Sequence, residues 1–505
     1  MLPPSQNGVY ACENEQTLKT MLKGYYNFSG FVVSDWGACH STVDAITHGM
    51  DIEMPNAKFL SAENIKEGLA NKTLSMEQID DSCHRILRSY FAVPKAMRVP
   101  GPCGGGDCID KMVKGPEHIA LARKLSAMST VLLKNEGGLL PLSRTAMAGK
   151  KILLVGPGAV VPYTGGSGSG AVSNASAVSP MTALKALPGL DVSYHDGSSP
   201  AAAAAAAKAA DLAIVFGSAA TGEGHDRLNL KLDGNIDEVI PAVGEAQKDT
   251  VVVLSTPGSI LTDWRAGVPA ILYNGLPGEQ VGPALADVLF GVTPPQAKLP
   301  ITMPNKENEQ GFSVSQYPGI DCYDGELPFP GGGGKGANSS PGSKDHEHKK
   351  KMNGKCKCTN PACDVESTYT EGQIVGYRWY DKHKVQPAFA FGHGLSYGTH
   401  EISAVKVAGR TVSFKLSRTA GSGCETPQVY LGYPDAATDP KVPTKVLRFF
   451  KKSCDESEEM SYEVTDQDVS NWDVATKQWK VTKGTYKVYV CTSSQDCTGT
   501  GSLVV

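Results

Sequence analysis

Between residues 151 and 290 the chain repeats one arrangement, a short wholly apolar run followed by a longer amphipathic stretch. The runs are KILLVG (151–156), DLAIVFG (211–217), TVVVLST (250–256) and AILYNG (270–275). A strand that is apolar on every residue has to be covered on both faces, and helices between successive strands supply those covers on a parallel sheet. Residues 201–207, 236–247 and 279–290 are the helices, with Ser199 and Pro200 opening the first and Gly291 stopping the last. This stretch therefore reads as a parallel α/β layer.

The flanks follow other periods. Residues 13–24 place Leu18, Met21 and Leu22 at helical spacing before Gly24. Within GFVVSDW, Phe31 to Val33 reads as a buried parallel strand that ends at Asp35 and Trp36. HSTVDAITHG reads as a helix, MDIEMP as a second short strand and residues 61–93 as two more helices. That makes about two βα units, whereas a closed (β/α)8 barrel takes about 250 residues. After residue 400 the period is two: HEISAVKVAGRTVSFKLS, TPQVYLGYP, KVLRFFKK and GTYKVYVCTS are strands of a β-sandwich. Residues 325–368, rich in glycine, serine and lysine, cannot bury enough apolar surface to order themselves and read as an inserted surface loop.

Charge and composition narrow the function. The 48 basic and 52 acidic side chains leave a net charge of -4, which gives no electrostatic footprint for nucleic acid. No run reaches the roughly 18 apolar residues of a membrane span. The 13 cysteines and the Asn-x-Ser/Thr triplets at Asn27, Asn71, Asn174 and Asn338 point to an oxidising, secretory setting. MLPPSQNGVYACENE carries no apolar signal core, and an odd cysteine count with no signal is what a chain lacking its beginning would show.

Two carboxylates stand out. Asp35 lies at the C-terminal end of an apolar parallel strand, where βα loops build active sites, or else caps a helix starting near Ala38. Trp36 beside it either stacks on a ligand or belongs to the core. Glu223 follows the strand 211–217 in SAATGEGHDR, where His225, Asp226 and Arg227 crowd ionisable groups between glycines. The alternative there is a solvated loop with an Asp226–Arg227 pair. Carboxylates at the carboxyl ends of strands in two layers invite glycoside hydrolysis by a nucleophile and an acid/base, the acid needing a raised pKa. Other motifs are weaker. GGSGSG (165–170) lacks the Gly-Lys-Ser/Thr of a phosphate cradle. Cys356, Cys358 and Cys363 with His346 and His348 lack standard zinc spacing and read as disulfide or free thiols. KHKV (382–385) and the lysine run 349–351 read as solvated charge, and no Ser–His–Asp elbow is present.

At these residues the sequence resembles glycoside hydrolase family 3, in particular its β-glucosidase branch. The matching segments are NGVYACEN, GFVVSDWGACHSTVDAITHGMDIEMP, VLLKNEGGLLPL, GGSGSG, GEGHDRLNLKL, YNGLPGEQVGPALADVLFG, KLPITMP, EGQIVGYRWYD and AFAFGHGLSYG, in the family's order from residue 7 onward. The resemblance implies an α/β multidomain chain: the C-terminal part of a (β/α)8 barrel at 1–105, a linker helix region at 106–125, an (α/β)6 sandwich at 126–395 with the insertion 325–368, and a fibronectin type III-like β-sandwich at 396–505. It implies a retaining, exo-acting hydrolase that releases terminal β-D-glucose without metal or cofactor. Asp35 matches the family nucleophile, Glu223 its acid/base and Trp36 the aromatic wall of the sugar pocket. The implied partner is a small oligosaccharide or glucoside. The alternatives are a β-xylosidase of the same family and a non-catalytic carbohydrate-binding or cell-surface protein. An N-acetylglucosaminidase of the family would use an Asp–His pair, and GEGHDR stands in its place. The family's barrel begins upstream, so most of its sugar-holding residues have no counterpart here. The expectation is that this chain, expressed as written, is poorly soluble or inactive, and that the protein is secreted by a signal lost with the preceding segment.

Overall fold

Because successive side chains of a strand point to opposite faces, each apolar run has to feed two cores at once. The computed structural model describes residues 5–94, 113–172, 176–223, 227–313, 316–317 and 367–505, in two units, Met1–Val113 and Lys114–Val505. In unit 1, β1 (Ser5–Gln6) and β2 (Val9–Tyr10) form a small hairpin. In unit 2, β3 (Val131–Asn135), β4 (Lys151–Val155), β5 (Asp191–His195), β6 (Leu212–Ser218), β7 (Thr250–Ser255) and β8 (Ala270–Tyr273) form one sheet in the order β3-β8-β7-β6-β4-β5. One of its faces buries Leu153, Val155, Val215, Val252, Leu254 and Ile271 under the helices Pro200–Lys208 and Ile236–Ala246. The other buries Ile152, Leu154, Ile214, Val251, Val253 and Leu272 under Pro180–Lys185 and Val281–Leu289. The alternation is strict: neighbours along β4, β6, β7 and β8 fall into different cores.

The structure departs from a purely parallel layer at one edge. β3 runs antiparallel to β8, because it leaves the helix Pro116–Ser129 through Thr130 and enters the edge without a crossover. β5 closes the other edge in parallel with β4. Its sequence DVSYH is half exposed along its length, so it carries no continuous apolar run to read. Ser199 caps the alanine helix by accepting a hydrogen bond from Ala202 N at 3.3 Å.

The last part of unit 2 is a β-sandwich. β9 (Thr399–Ala408), β10 (Thr411–Ala420) and a strand β13 (Ser457–Glu463) make one sheet; β11 (Gln428–Gly432), β12 (Val446–Phe450), β16 (Thr485–Cys491) and β17 (Cys497–Val504) make the other, with a hairpin of β14 (Ser470–Asp473) and β15 (Gln478–Val481). Val412, Phe414, Leu416, Val429, Leu431, Tyr486 and Val488 fill the space between the sheets. Cys424–Cys454 and Cys491–Cys497 are disulfides. The sandwich is tied to the α/β layer by charge as well as packing. Asp381 accepts from Lys445 Nζ at 2.6 Å and from Gln495 Nε2 at 2.7 Å, with both members of the ion pair buried.

Within KHKV, His383 and Lys384 are exposed, as solvated charge should be, but Lys382 departs from that reading. Lys382 Nζ donates to the carbonyls of Ala436, Asp439 and Val442 at 2.7, 2.7 and 2.9 Å. Three main-chain acceptors replace the water shell of the ammonium, and the lysine becomes a tie between layers. Nothing in local spacing distinguishes such a lysine from a solvated one.

In unit 1 the two expected strands reduce to a single parallel bridge, Val33↔Ile52. Around it lie a π-helical segment Gln16–Tyr25 and the helices Val43–Thr47, Ala62–Ala70 and Met76–Ala92. The core of this unit is small, built on Leu18, Cys39, Ala45 and Met50. Helix Met76–Ala92 buries no residue, and Leu87, Tyr90 and Phe91 stand exposed.

Candidate active site

The segment that carries Asp35 is held by main-chain bonds to its neighbour. Ser34 N donates to Ile52 O at 2.9 Å, Ile52 N to Val32 O at 3.0 Å, and Gly37 N to Met54 O at 3.1 Å. A buried charge holds the same segment from the side. The Asp51 carboxylate accepts from Lys23 Nζ at 2.8 and 2.9 Å, from Val32 N at 2.8 Å and from Ser82 Oγ at 2.9 Å. The Lys23 and Asp51 side chains are 8% and 1% exposed, so removing either partner strands an uncompensated charge. Asp51→Ala is therefore expected to destabilise unit 1 by about 3–5 kcal/mol. Chemical denaturation would read this as a lowered midpoint for unit 1 with the transition of the α/β layer unmoved. An unchanged midpoint would show that the network is not a structural tie.

This scaffold presents Asp35 to solvent. Its Oδ1 accepts from Trp36 N at 2.7 Å, and Ala38 N closes a turn on Asp35 O at 3.1 Å. No helix starts near Ala38, so the capping alternative is absent. Trp36 is 65% exposed, which removes it from the core and leaves its ring free to meet a ligand.

Glu223 lies five positions beyond the end of β6. Asp233 Oδ2 accepts from Ala220 N at 2.8 Å, and the Tyr163 hydroxyl accepts from Thr221 N at 2.6 Å. The glycine-rich stretch 165–170 is the other wall of this loop. Ser167 and Gly222 form a parallel bridge. Ser169 donates to Glu223 Oε2 twice, from its N–H at 2.6 Å and its hydroxyl at 2.5 Å. Gly168 has φ +104 and faces the Glu223 side chain so closely that a Cβ there would collide with it. GGSGSG thus cradles a carboxylate, a role its spacing did not announce. The Ser169 hydroxyl and N–H hold the Glu223 carboxyl below its usual range, opposite to the raised pKa expected of an acid. A gap at the end of β6, lined by Tyr163, Phe216, Ser218 and Ser255, measures about 10 Å³, room for about one water.

Asp35 and Trp36 belong to unit 1 and Glu223 to unit 2. Arg227 donates to Ser259 O at 2.9 Å and to Asn229 O at 3.4 Å. His225, Asp226, Asn174, Asn338 and the group His346, His348, Cys356, Cys358 and Cys363 with the lysines 349–351 lie outside the described residues. Among the described residues no group of three or more His, Cys, Asp or Glu side chains is placed to hold a metal ion, and no helix is long and apolar enough to cross a membrane.

Comparison with known families assigns each layer. Residues 1–89 match the glycosyl hydrolase family 3 N terminal domain, 130–397 the glycosyl hydrolase family 3 C-terminal domain, and 425–494 the fibronectin type III-like domain. The chain belongs to glycosyl hydrolase family 3. A family member from Aspergillus terreus named probable beta-glucosidase L is 30% identical over 99% of this chain and 70% of its own length. Beta-glucosidase cel3A of Pyricularia oryzae is 28% identical over 97% of this chain and 68% of its own. Among solved structures, the family 3 beta-glucosidase of Bifidobacterium adolescentis is 27% identical with a TM-score of 0.81, over 99% of this chain and 68% of that one. A beta-glucosidase from Streptomyces venezuelae, solved with D-glucose, is 26% identical with a TM-score of 0.81, over 99% of this chain and 75% of that one. As a member of this family the protein is a glycosidase.

Proposed function

We propose that the protein is a retaining, exo-acting hydrolase that releases terminal β-D-glucose from β-glucosides and short oligosaccharides. Asp35 is the nucleophile, Glu223 the acid/base and Trp36 an aromatic wall of the sugar site. The observation that carries this reading is the exposed Asp35 carboxylate beside an exposed indole, at the end of a segment that Asp51 and Ile52 hold rigidly.

The chemistry runs in two steps. An Asp35 oxygen attacks the anomeric carbon while Glu223 gives its proton to the departing glycosidic oxygen, leaving a glycosyl ester on Asp35. Glu223, now a carboxylate, takes a proton from water, and the water oxygen displaces Asp35 with a second inversion. The two carboxyl groups have to stand about 5–5.5 Å apart across the sugar. Glu223 has to be protonated in the first step, so substrate binding must weaken its bonds to Ser169 or bring the Asp35 charge near enough to raise its pKa.

Secretion is part of the proposal. It is supported by the two disulfides of the sandwich and by the exposure of Asn27 and Asn71, each in an Asn-x-Ser/Thr triplet. A panel of aryl glycosides tests the sugar. Turnover of the aryl β-glucoside should exceed that of the β-xyloside, and preference for the xyloside would overturn the assignment to glucose.

A further inference from the structure

Two of the three described free cysteines lie in one place. Cys39 is buried in the small core of unit 1 with Leu18, Ala45 and Met50, and Cys12 packs against that core from its edge. The residues beside them are in direct contact. Glu13 Oε1 accepts from His40 N at 2.5 Å, and the Tyr10 and His40 rings stack at 3.8 Å. The Cys39 thiol is pushed up to about 12, chiefly by burial, and a nearby Cys12 adds to the shift. Cys83, the third free thiol, is exposed on helix Met76–Ala92. Unit 2 already carries two disulfides, in keeping with the oxidising setting that the proposed secretion supplies.

We propose that Cys12 and Cys39 are a disulfide-forming pair, closed by exchange with a small-molecule disulfide such as oxidised glutathione. The partly exposed Cys12 attacks the oxidant as a thiolate, expels one thiolate and forms a mixed disulfide. Cys39 then loses its proton and attacks the Cys12 sulfur, expelling the second thiolate. Two cysteine thiols have given up two protons and two electrons, and one oxidant disulfide has become two thiols. The bond ties residues 27 positions apart and fastens the turn after Asp35 and Trp36 to the segment Ala11–Glu13. The cross-link stands apart from the catalytic reading; only its consequence for Asp35 rests on that reading.

Peptide mapping of the protein made in an oxidising host, alkylated without reductant and cut with trypsin, tests it directly. The peptide ending at Lys19 should run joined to Gly24–Lys58 and separate from it on reduction. Alkylation of both cysteines, or a link from either to Cys83 or another cysteine, would overturn the proposal. Amide exchange tests the clamp. In Cys12→Ser, residues 36–41 should exchange at least about tenfold faster than in the oxidised protein. Equal rates would show that the bond fastens nothing there. Neither readout depends on turnover, so a failure of the glycosidase assignment would be seen separately in the glycoside panel.

Discussion

Asp35→Asn, made in the protein as its source produces it, should lower turnover of an aryl β-glucoside on the order of 10⁴-fold or more. Asparagine keeps the shape of the side chain and its acceptor for Trp36 N, so the turn that Ala38 closes should survive. What is lost is the negative oxygen that forms the glycosyl ester. With no second nucleophile, water would have to attack an intact acetal, and the barrier that the covalent step divides would be met whole. Asp35 is exposed and lies outside the buried Lys23–Asp51 network, so the unfolding midpoint should not move. Wild-type turnover in this variant would remove Asp35 from the nucleophile's role, whatever the fold.

Glu223→Gln should separate substrates by their leaving groups. An alkyl glucoside or cellobiose expels a strongly basic oxygen that needs a proton, and its turnover should fall about 10²–10⁴-fold. A dinitrophenyl glucoside expels a weakly basic phenolate, so its first step should be nearly untouched. Equal losses for both would place the proton donor elsewhere. The pH dependence has a definite sign. In the free protein the two bonds from Ser169 stabilise the Glu223 carboxylate and hold its pKa down. The bonded contact between Glu223 and Ser169 is therefore present above the ordinary carboxylate range and lost as pH falls through the lowered value. Ser169→Ala removes the hydroxyl donor and raises the pKa of Glu223, so more of it is protonated at a given pH. The alkaline limb of kcat/KM, which reports the free enzyme, should then move to higher pH. A limb that stays in place would show that Ser169 does not set the protonation of the catalytic group.

The central strands and the helices between them were legible from sequence because a parallel sheet demands apolar residues on both faces, and a run such as TVVVLS has no other environment to occupy. The sandwich was legible for the complementary reason, the alternation of half-buried and buried positions along TVSFKL at the start of β10. The edge strand β5 was not, since one neighbour and one half-covered face leave DVSYH no pattern to keep. Asp35, Glu223 and Trp36 stand out in the sequence because they follow apolar segments, and the family resemblance implies roles for them. Their surroundings were a different matter. That Ser169 grips Glu223, that the Asp51 carboxylate accepts directly from Val32 N, and that Lys382 spends its charge on three carbonyls all follow from chain segments meeting across 54, 19 and up to 60 positions.

Sequence alone determined which runs of unit 2 must be buried and which carboxylates follow apolar segments, because hydrophobic periodicity and backbone geometry act within a few residues. Tertiary structure alone decided which donors reach those carboxylates, and therefore which protonation state the free protein favours. Hydrogen bonds and burial depend on neighbours in space, and spacing along the chain does not encode them.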